Sequence, residues 1–339
     1  MTSRPAACLV LGEVDTGKST FCAVLASAAF QAGQPAGWRV AVVDADIGQS
    51  DIGPPACVSF GLLEGPVETL EQVPPLGADF VGATSPVGRL LQTATATATM
   101  TRAARSAGAG FIVIDTTGLV HGEPARALKA AKVALVDPDM IIALQREDEV
   151  EHLLAPYSRR SRPATVRLPV SRRVEKKTWE ERKARRERKF AQRLAHGTPL
   201  EFSLRSVAVE GSFSLTGSAL PGHWLSHLEE VLGCPVQYAE RSDQATLAIV
   251  EGADANEMEI IRLRAHQAGV VARSSAEFKN LLVGLMDASG ATLDIGVTSN
   301  MDLRKQTVTI HTALDAGAKV ACIRLGYMRV APNGKEIPE

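Results

Sequence analysis

Runs of consecutive apolar residues at 7–11, 39–43, 111–114 and 140–144 recur through the first half of the chain and predict short buried strands. Between them, the stretches at about 18–32, 90–107 and 124–135 predict helices, and the Thr/Ala repeat at 93–99 is compatible with a small-residue helix. Strands alternating with helices predict an α/β fold: a doubly wound, mostly parallel sheet with helices on both faces. Residues 175–195 contain neither Gly nor Pro, and the Glu181–Arg185 spacing supports an exposed helix there. From about 197 the pattern changes. Segments 202–209, 245–250, 281–286, 292–298, 307–312 and 319–325 predict strands, with helices near 222–232 and 254–267. The pattern therefore predicts a first domain over 1–196 and a smaller, β-rich one over 197–339.

Composition narrows the class. With 339 residues, 45% apolar and 22% charged, the chain is expected to be globular rather than disordered. It has no apolar run near the ~18 residues a membrane span needs, and no secretory leader pattern, so a soluble cytoplasmic protein without membrane contact is expected. Cys8, Cys22, Cys57, Cys234 and Cys322 are scattered without a C-x-x-C pair, which argues against disulfides or zinc. Aromatic residues are only 4%, too few for a surface dominated by base stacking. The net charge of −1 conceals an asymmetry: residues 157–193 hold 15 Lys+Arg against 4 Asp+Glu. Such a block attracts polyanions, although charge alone would also suit a solvated helix or a localisation signal.

The strongest chemical signal is Gly12-Glu13-Val14-Asp15-Thr16-Gly17-Lys18-Ser19, followed by Thr20, a complete G-x-x-x-x-G-K-[ST] between a strand and a helix. The glycines let backbone N–H groups curl around phosphates at a helix N-terminus. Lys18 is expected on the β- and γ-phosphates, and Ser19 on Mg²⁺. Asp44 and Asp46 end the second strand, where carboxylates face the ligand crevice and can hold a metal or accept a proton. Asp115 closes the third strand in I-D-T-T-G, which places it near Mg²⁺ and the Gly118 backbone near the terminal phosphate. Strand 140–144 runs into Gln145-Arg146-Glu147-Asp148 rather than N-K-x-D, so guanine specificity is not supported.

Taken together, these segments resemble the polynucleotide 5′-hydroxyl kinases, which include the kinase subunit of the messenger-RNA 3′-end cleavage factor and the nucleolar kinase of pre-ribosomal-RNA processing. The resemblance rests on the P-loop, D-A-D-I-G-Q-S-D at 44–51, F-V-G-A-T-S-P at 80–86, I-D-T-T-G-L-V-H-G at 114–122 and K-T-W-E-E-R-K-A-R-R-E at 177–187. It continues through L-L-V-G-L-M-D-A-S-G at 281–290 and I-R-L-G-Y-M-R-V at 323–330, resembling the nucleolar and prokaryotic branch. The resemblance implies Asp46 as metal-associated general base and Gln49 near metal and substrate. Thr84, Ser85 and Pro86 would lie in a loop clasping the 5′ end. Arg182 and Arg186 would form an R-x-x-x-R lid over the triphosphate, within a basic lid at about 157–196, with Lys177 a further lid position. Leu119 stands at a substrate position where the cleavage-factor branch has a stacking Trp. Eukaryotic members carry a domain before the P-loop, which is not expected here with Gly12 so near the start.

The expectation is an ATP- and Mg²⁺-dependent kinase acting on the 5′-hydroxyl of RNA, or of DNA. The alternatives are a P-loop GTPase or ATPase switch or maturation factor, and a binding module of an RNA-processing assembly. The sequence names no protein partner.

Overall fold

The computed structural model describes residues 6–211, 215–242, 245–252 and 254–338. The chain forms two compact units, Met1–Lys189 and Phe190–Glu339. The division falls inside a helix, a few residues before the composition shift at 196/197.

The first unit runs β1 (Ala6–Gly12), α1 (Lys18–Gly33), β2 (Arg39–Ala45), β3 (Cys57–Leu62), β4 (Pro75–Phe80), α2 (Leu90–Ser106) and β5 (Ala109–Thr116). It continues with α3 (Gly122–Val136), β6 (Met140–Gln145), α4 (Glu151–Leu154), β7 (Ala164–Pro169) and the start of α5 (Trp179–Leu194). The strands form one sheet in the order β4-β3-β2-β5-β1-β6-β7. Strands β2, β5, β1, β6 and β7 are parallel, while β3 and β4 add antiparallel strands at one edge.

Alternation along each central strand sends side chains to opposite faces, and both faces are covered. Leu9, Leu11, Ala41, Val43, Ile112 and Ile114 pack with Ala96, Met100 and Ala104 of α2 and Val133 and Val136 of α3. Val10, Val40, Val42 and Val113 pack on the other face with Cys22, Ala23 and Ala26 of α1. This double burial explains why the strands read as unbroken apolar runs. In α2, buried Thr93, Thr97 and Thr101 each donate their hydroxyl to the carbonyl four residues back, at 2.7–2.8 Å. Their polarity is thereby satisfied inside a core-facing helix.

The second unit contains β8 (Thr198–Ser203), β9 (Ala208–Glu210), β10 (Ser218–Ala219), α6 (Gly222–Leu232), β11 (Val236–Arg241), β12 (Thr246–Val250), α7 (Ala255–Gln267) and β13 (Val270–Ser274). Then follow β14 (Leu281–Met286), β15 (Thr292–Asp302), β16 (Thr307–Thr312), β17 (Cys322–Val330) and β18 (Glu336–Ile337). One sheet runs β18-β17-β14-β15-β16-β8, with β9 beside β17, and the other β10-β11-β12-β13. The strand expected over 202–209 is broken, because the amides of Ser206 and Val207 turn back to the Ser203 carbonyl. Strands β12 and β13 are parallel and joined through α7, so part of this unit is itself α/β. Among the described residues, no helix is long and apolar enough to cross a membrane.

Candidate functional site

The C-terminal ends of β1, β5 and β2 lie side by side in the sheet of the first unit, the place where ligand crevices open in such folds. A cleft of about 1110 Å³ opens there. It is lined by the P-loop from Val14 to Thr20, by Asp46 and Gln49, by Thr84, Ser85 and Pro86, by Gly118 and Leu119, and by Lys177, Arg182 and Arg186. Residues from five separate segments thus converge on one cavity.

The P-loop geometry follows from two left-handed positions, Asp15 at φ 56° and Gly17 at φ 78°. The turn presents successive amides ahead of α1. Lys18 Nζ donates to the Glu13 carbonyl at 2.7 Å, and Thr16 Oγ1 donates to the same oxygen at 2.9 Å. A Cβ on Gly118 would sit 2.7 Å from the Val14 nitrogen, so the P-loop and the end of β5 can meet only over a glycine. Gly12 and Glu13 shape the turn from behind the cleft wall rather than lining it.

The acidic residues divide by environment. Asp46 Oδ1 accepts the amides of Gly48 and Gln49 at 3.0 and 3.2 Å, and among the described residues Oδ2 accepts no hydrogen bond. Asp115 is buried: Oδ2 accepts from Ser19 Oγ at 2.6 Å and Oδ1 from the Thr116 amide at 2.8 Å. Burial pushes its carboxyl up to about 6, opposed first by the Lys18 charge. Asp44 is also buried and does not line the cleft. Its oxygens accept the amides of Asp46, Asp51 and Ile52, which organises the 44–52 loop. Burial raises its pKa well above the usual carboxylate range, reinforced by the charges of Asp51 and Asp115.

The start of α5 is pinned over the P-loop. Thr178 and Glu181 form a reciprocal cap, Glu181 accepting the Thr178 amide at 2.7 Å and Thr178 Oγ1 accepting the Glu181 amide at 3.1 Å. Asp15 Oδ2 accepts both the Lys177 amide and the Arg182 guanidinium, each at 3.1 Å. Gln49 Nε2 donates to the Arg182 carbonyl at 3.3 Å.

Arg185 does not pair with Glu181. It forms ion pairs with Asp51 and Glu71, and Lys189 pairs with the same two carboxylates at 3.2 and 3.1 Å. The Lys189 ammonium holds the Glu71 carboxyl below its usual range, with Arg185 adding to it. This Arg185–Lys189 anchor was not singled out in the sequence, although Asp51 and Arg185 both lie in the motif segments. The i,i+4 rule directed Arg185 to its own helix, whereas the largely shielded Asp51 competes more strongly for it.

The family described as mRNA cleavage and polyadenylation factor CLP1 P-loop matches residues 12–194. The chain belongs to this family of P-loop proteins. A polyribonucleotide 5′-hydroxyl-kinase of Thermococcus kodakarensis is 32% identical over 338 residues, covering 99% of this chain and 91% of that protein. Its counterpart in Pyrococcus furiosus is 29% identical over 335 residues, covering 98% and 90%. Clp1p, solved in complex with Pcf11p, shares the fold at a TM-score of 0.60 and 8% identity, covering 97% of this chain and 75% of that one.

Proposed function

We propose that the protein transfers the γ-phosphate of ATP to the 5′-hydroxyl end of RNA. The observation that carries this reading is the cleft in which a P-loop, a carboxylate with one oxygen free of hydrogen bonds among the described residues and an arginine-bearing helix meet. The similarity to polyribonucleotide 5′-hydroxyl-kinases over nearly the whole chain supports it.

The P-loop amides and Lys18 hold the triphosphate, with Lys18 exchanging the Glu13 carbonyl for phosphate oxygens. Asp46 Oδ2 takes the proton of the attacking 5′-hydroxyl while Oδ1 stays tied to its loop. Thr84, Ser85, Pro86, Gln49 and Leu119 line the part of the cleft assigned to the polynucleotide end. Arg182 and Arg186, one helical turn apart, offset charge developing on the transferred group.

Ser19, Asp46 and Asp115 are hard oxygen donors, and Ser19 Oγ already meets Asp115. Among the described residues, no three His, Cys, Asp or Glu gather into a metal cage. Mg²⁺ commonly takes one or two carboxylates and completes its shell with phosphates and water, so this donor set fits it. Bound there, the ion would neutralise charge on the phosphates. Incubating the protein with γ-labelled ATP and 5′-hydroxyl oligonucleotides tests the reading: labelled 5′ ends are expected, and phosphate release without end labelling would replace it with the switch alternative.

A further inference from the structure

Two lysines of α3 lie where lysines are rarely found. Lys129 is 2% exposed and Lys132 is 0% exposed, one helical turn apart on the face that also carries Leu128, Val133 and Val136. Lys129 Nζ donates to Thr116 Oγ1 at 2.9 Å and to the Thr117 carbonyl at 2.6 Å. Lys132 Nζ donates to the Ala45 carbonyl at 3.2 Å. Ala45 and Thr116 are register partners at the ends of β2 and β5. Ala45 precedes Asp46, and Thr117 precedes Gly118. The two ammonium groups therefore brace, from beneath, the two strand ends that carry the site.

Asp46, Asp115 and the buried Asp44 lie near them, and the charges of all three favour the protonated form of Lys132. Burial still outweighs them and pushes Lys132 down to about 8, which leaves it charged at neutral pH. Lys129 is pushed down by burial and by the charges of Lys132 and Lys18. A buried ammonium costs stability relative to an apolar side chain of the same shape, and here an apolar residue would complete the helix face.

We propose that Lys129 and Lys132 are positioning residues for phosphoryl transfer: Lys129 fixes the backbone ahead of Gly118, and Lys132 fixes the backbone ahead of Asp46 while supplying the internal counter-charge for the clustered carboxylates. This rests on the kinase reading for its rate effect, and its charge effect stands apart from that reading.

The test uses the full chain with Lys132→Met, Asp115→Asn and the double variant. Thermal unfolding and ATP affinity are measured alongside transfer to a 5′-hydroxyl RNA. Lys132→Met is expected to lower the saturated rate about tenfold or more while the ATP Kd stays within about threefold, and to lower the Tm, because removing one partner leaves buried carboxylates without their counter-charge. In the Asp115→Asn background the same substitution should lower the Tm less, because one carboxylate no longer needs that counter-charge. A lower Tm with a saturated rate within about twofold of wild type would make Lys132 a structural strut and overturn the proposal. Additive Tm effects would overturn the counter-charge role. Should Lys132→Met not fold, Lys132→Gln is judged by the same outcomes. If wild type labels no RNA ends, the kinase reading fails while the Tm cycle still decides the charge.

Discussion

At the scale of single residues, the account turns on which carboxylate is free to act. Asp44 spends its oxygens on backbone amides and Asp115 on Ser19 and its own neighbour, whereas Asp46, in the cleft wall, accepts no hydrogen bond at Oδ2 among the described residues. Asp46→Asn preserves shape and the loop contacts at Oδ1, so ATP binding should persist while transfer falls by about 10²–10⁴-fold. Single-turnover transfer beside equilibrium ATP binding checks this. If the loss instead follows ATP affinity, Asp46 is a ground-state ligand. Lys132 makes a second prediction through its proton. The unfolded chain binds that proton up to about pH 10.4, whereas the native site releases it near 8. Stability should therefore rise across that window as pH increases, and Lys132→Met should remove the increment in urea unfolding curves. An identical slope in both proteins would show that Lys132 titrates alike in both states. Asp44 and Asp46 looked equivalent in sequence because a D-x-D pair does not reveal which member the following amides will claim. The buried lysines left a readable trace: Leu128, Lys129, Lys132, Val133 and Val136 follow helical spacing, which places two lysines on the core stripe.

At the scale of elements, α5 combines two functions on neighbouring positions. Arg185 and Lys189 tie it to Asp51 and Glu71, while Arg182 and Arg186 line the cleft. The i,i+4 pair Lys183–Glu187 is a weak surface contact worth a few tenths of a kcal/mol. Asp51, by contrast, is only 10% exposed, so removing Arg185 withdraws a partner from a nearly buried carboxylate. Arg185→Ala should cost about 1–3 kcal/mol in urea unfolding. Arg186→Lys should leave stability and oligonucleotide affinity nearly unchanged but lower the saturated rate, since an ammonium cannot reproduce a planar guanidinium on phosphate. Weaker oligonucleotide binding with an unchanged saturated rate would move Arg186 to substrate grip. The central strands and long helices were legible because burial on two faces leaves uninterrupted apolar runs. Strands β3, β4 and β7 were not: Ser59 and Gly61 interrupt the first, Pro75 and Gly77 the second, and β7 is an edge strand with Arg167 in its middle. These strands are defined by pairing partners far along the chain, which a local pattern does not contain.

At the scale of the whole molecule, the chain belongs to a P-loop family whose ordered motifs share one cleft in the first unit. A β-rich second unit was legible from turn-separated runs, but its split into two sheets was not, because β11 and β13 carry mixed polarity. The central claim is that the phosphoryl group travels to a 5′-hydroxyl and not to water. The most direct measurement follows both fates of γ-labelled ATP, in Mg²⁺, with two RNA oligonucleotides that differ only in a 5′-hydroxyl or a 5′-phosphate. The account predicts label on the 5′-hydroxyl RNA alone, with little free phosphate and no transfer by Lys18→Ala. Phosphate release that is equal with both RNAs, and no labelled end, would contradict it.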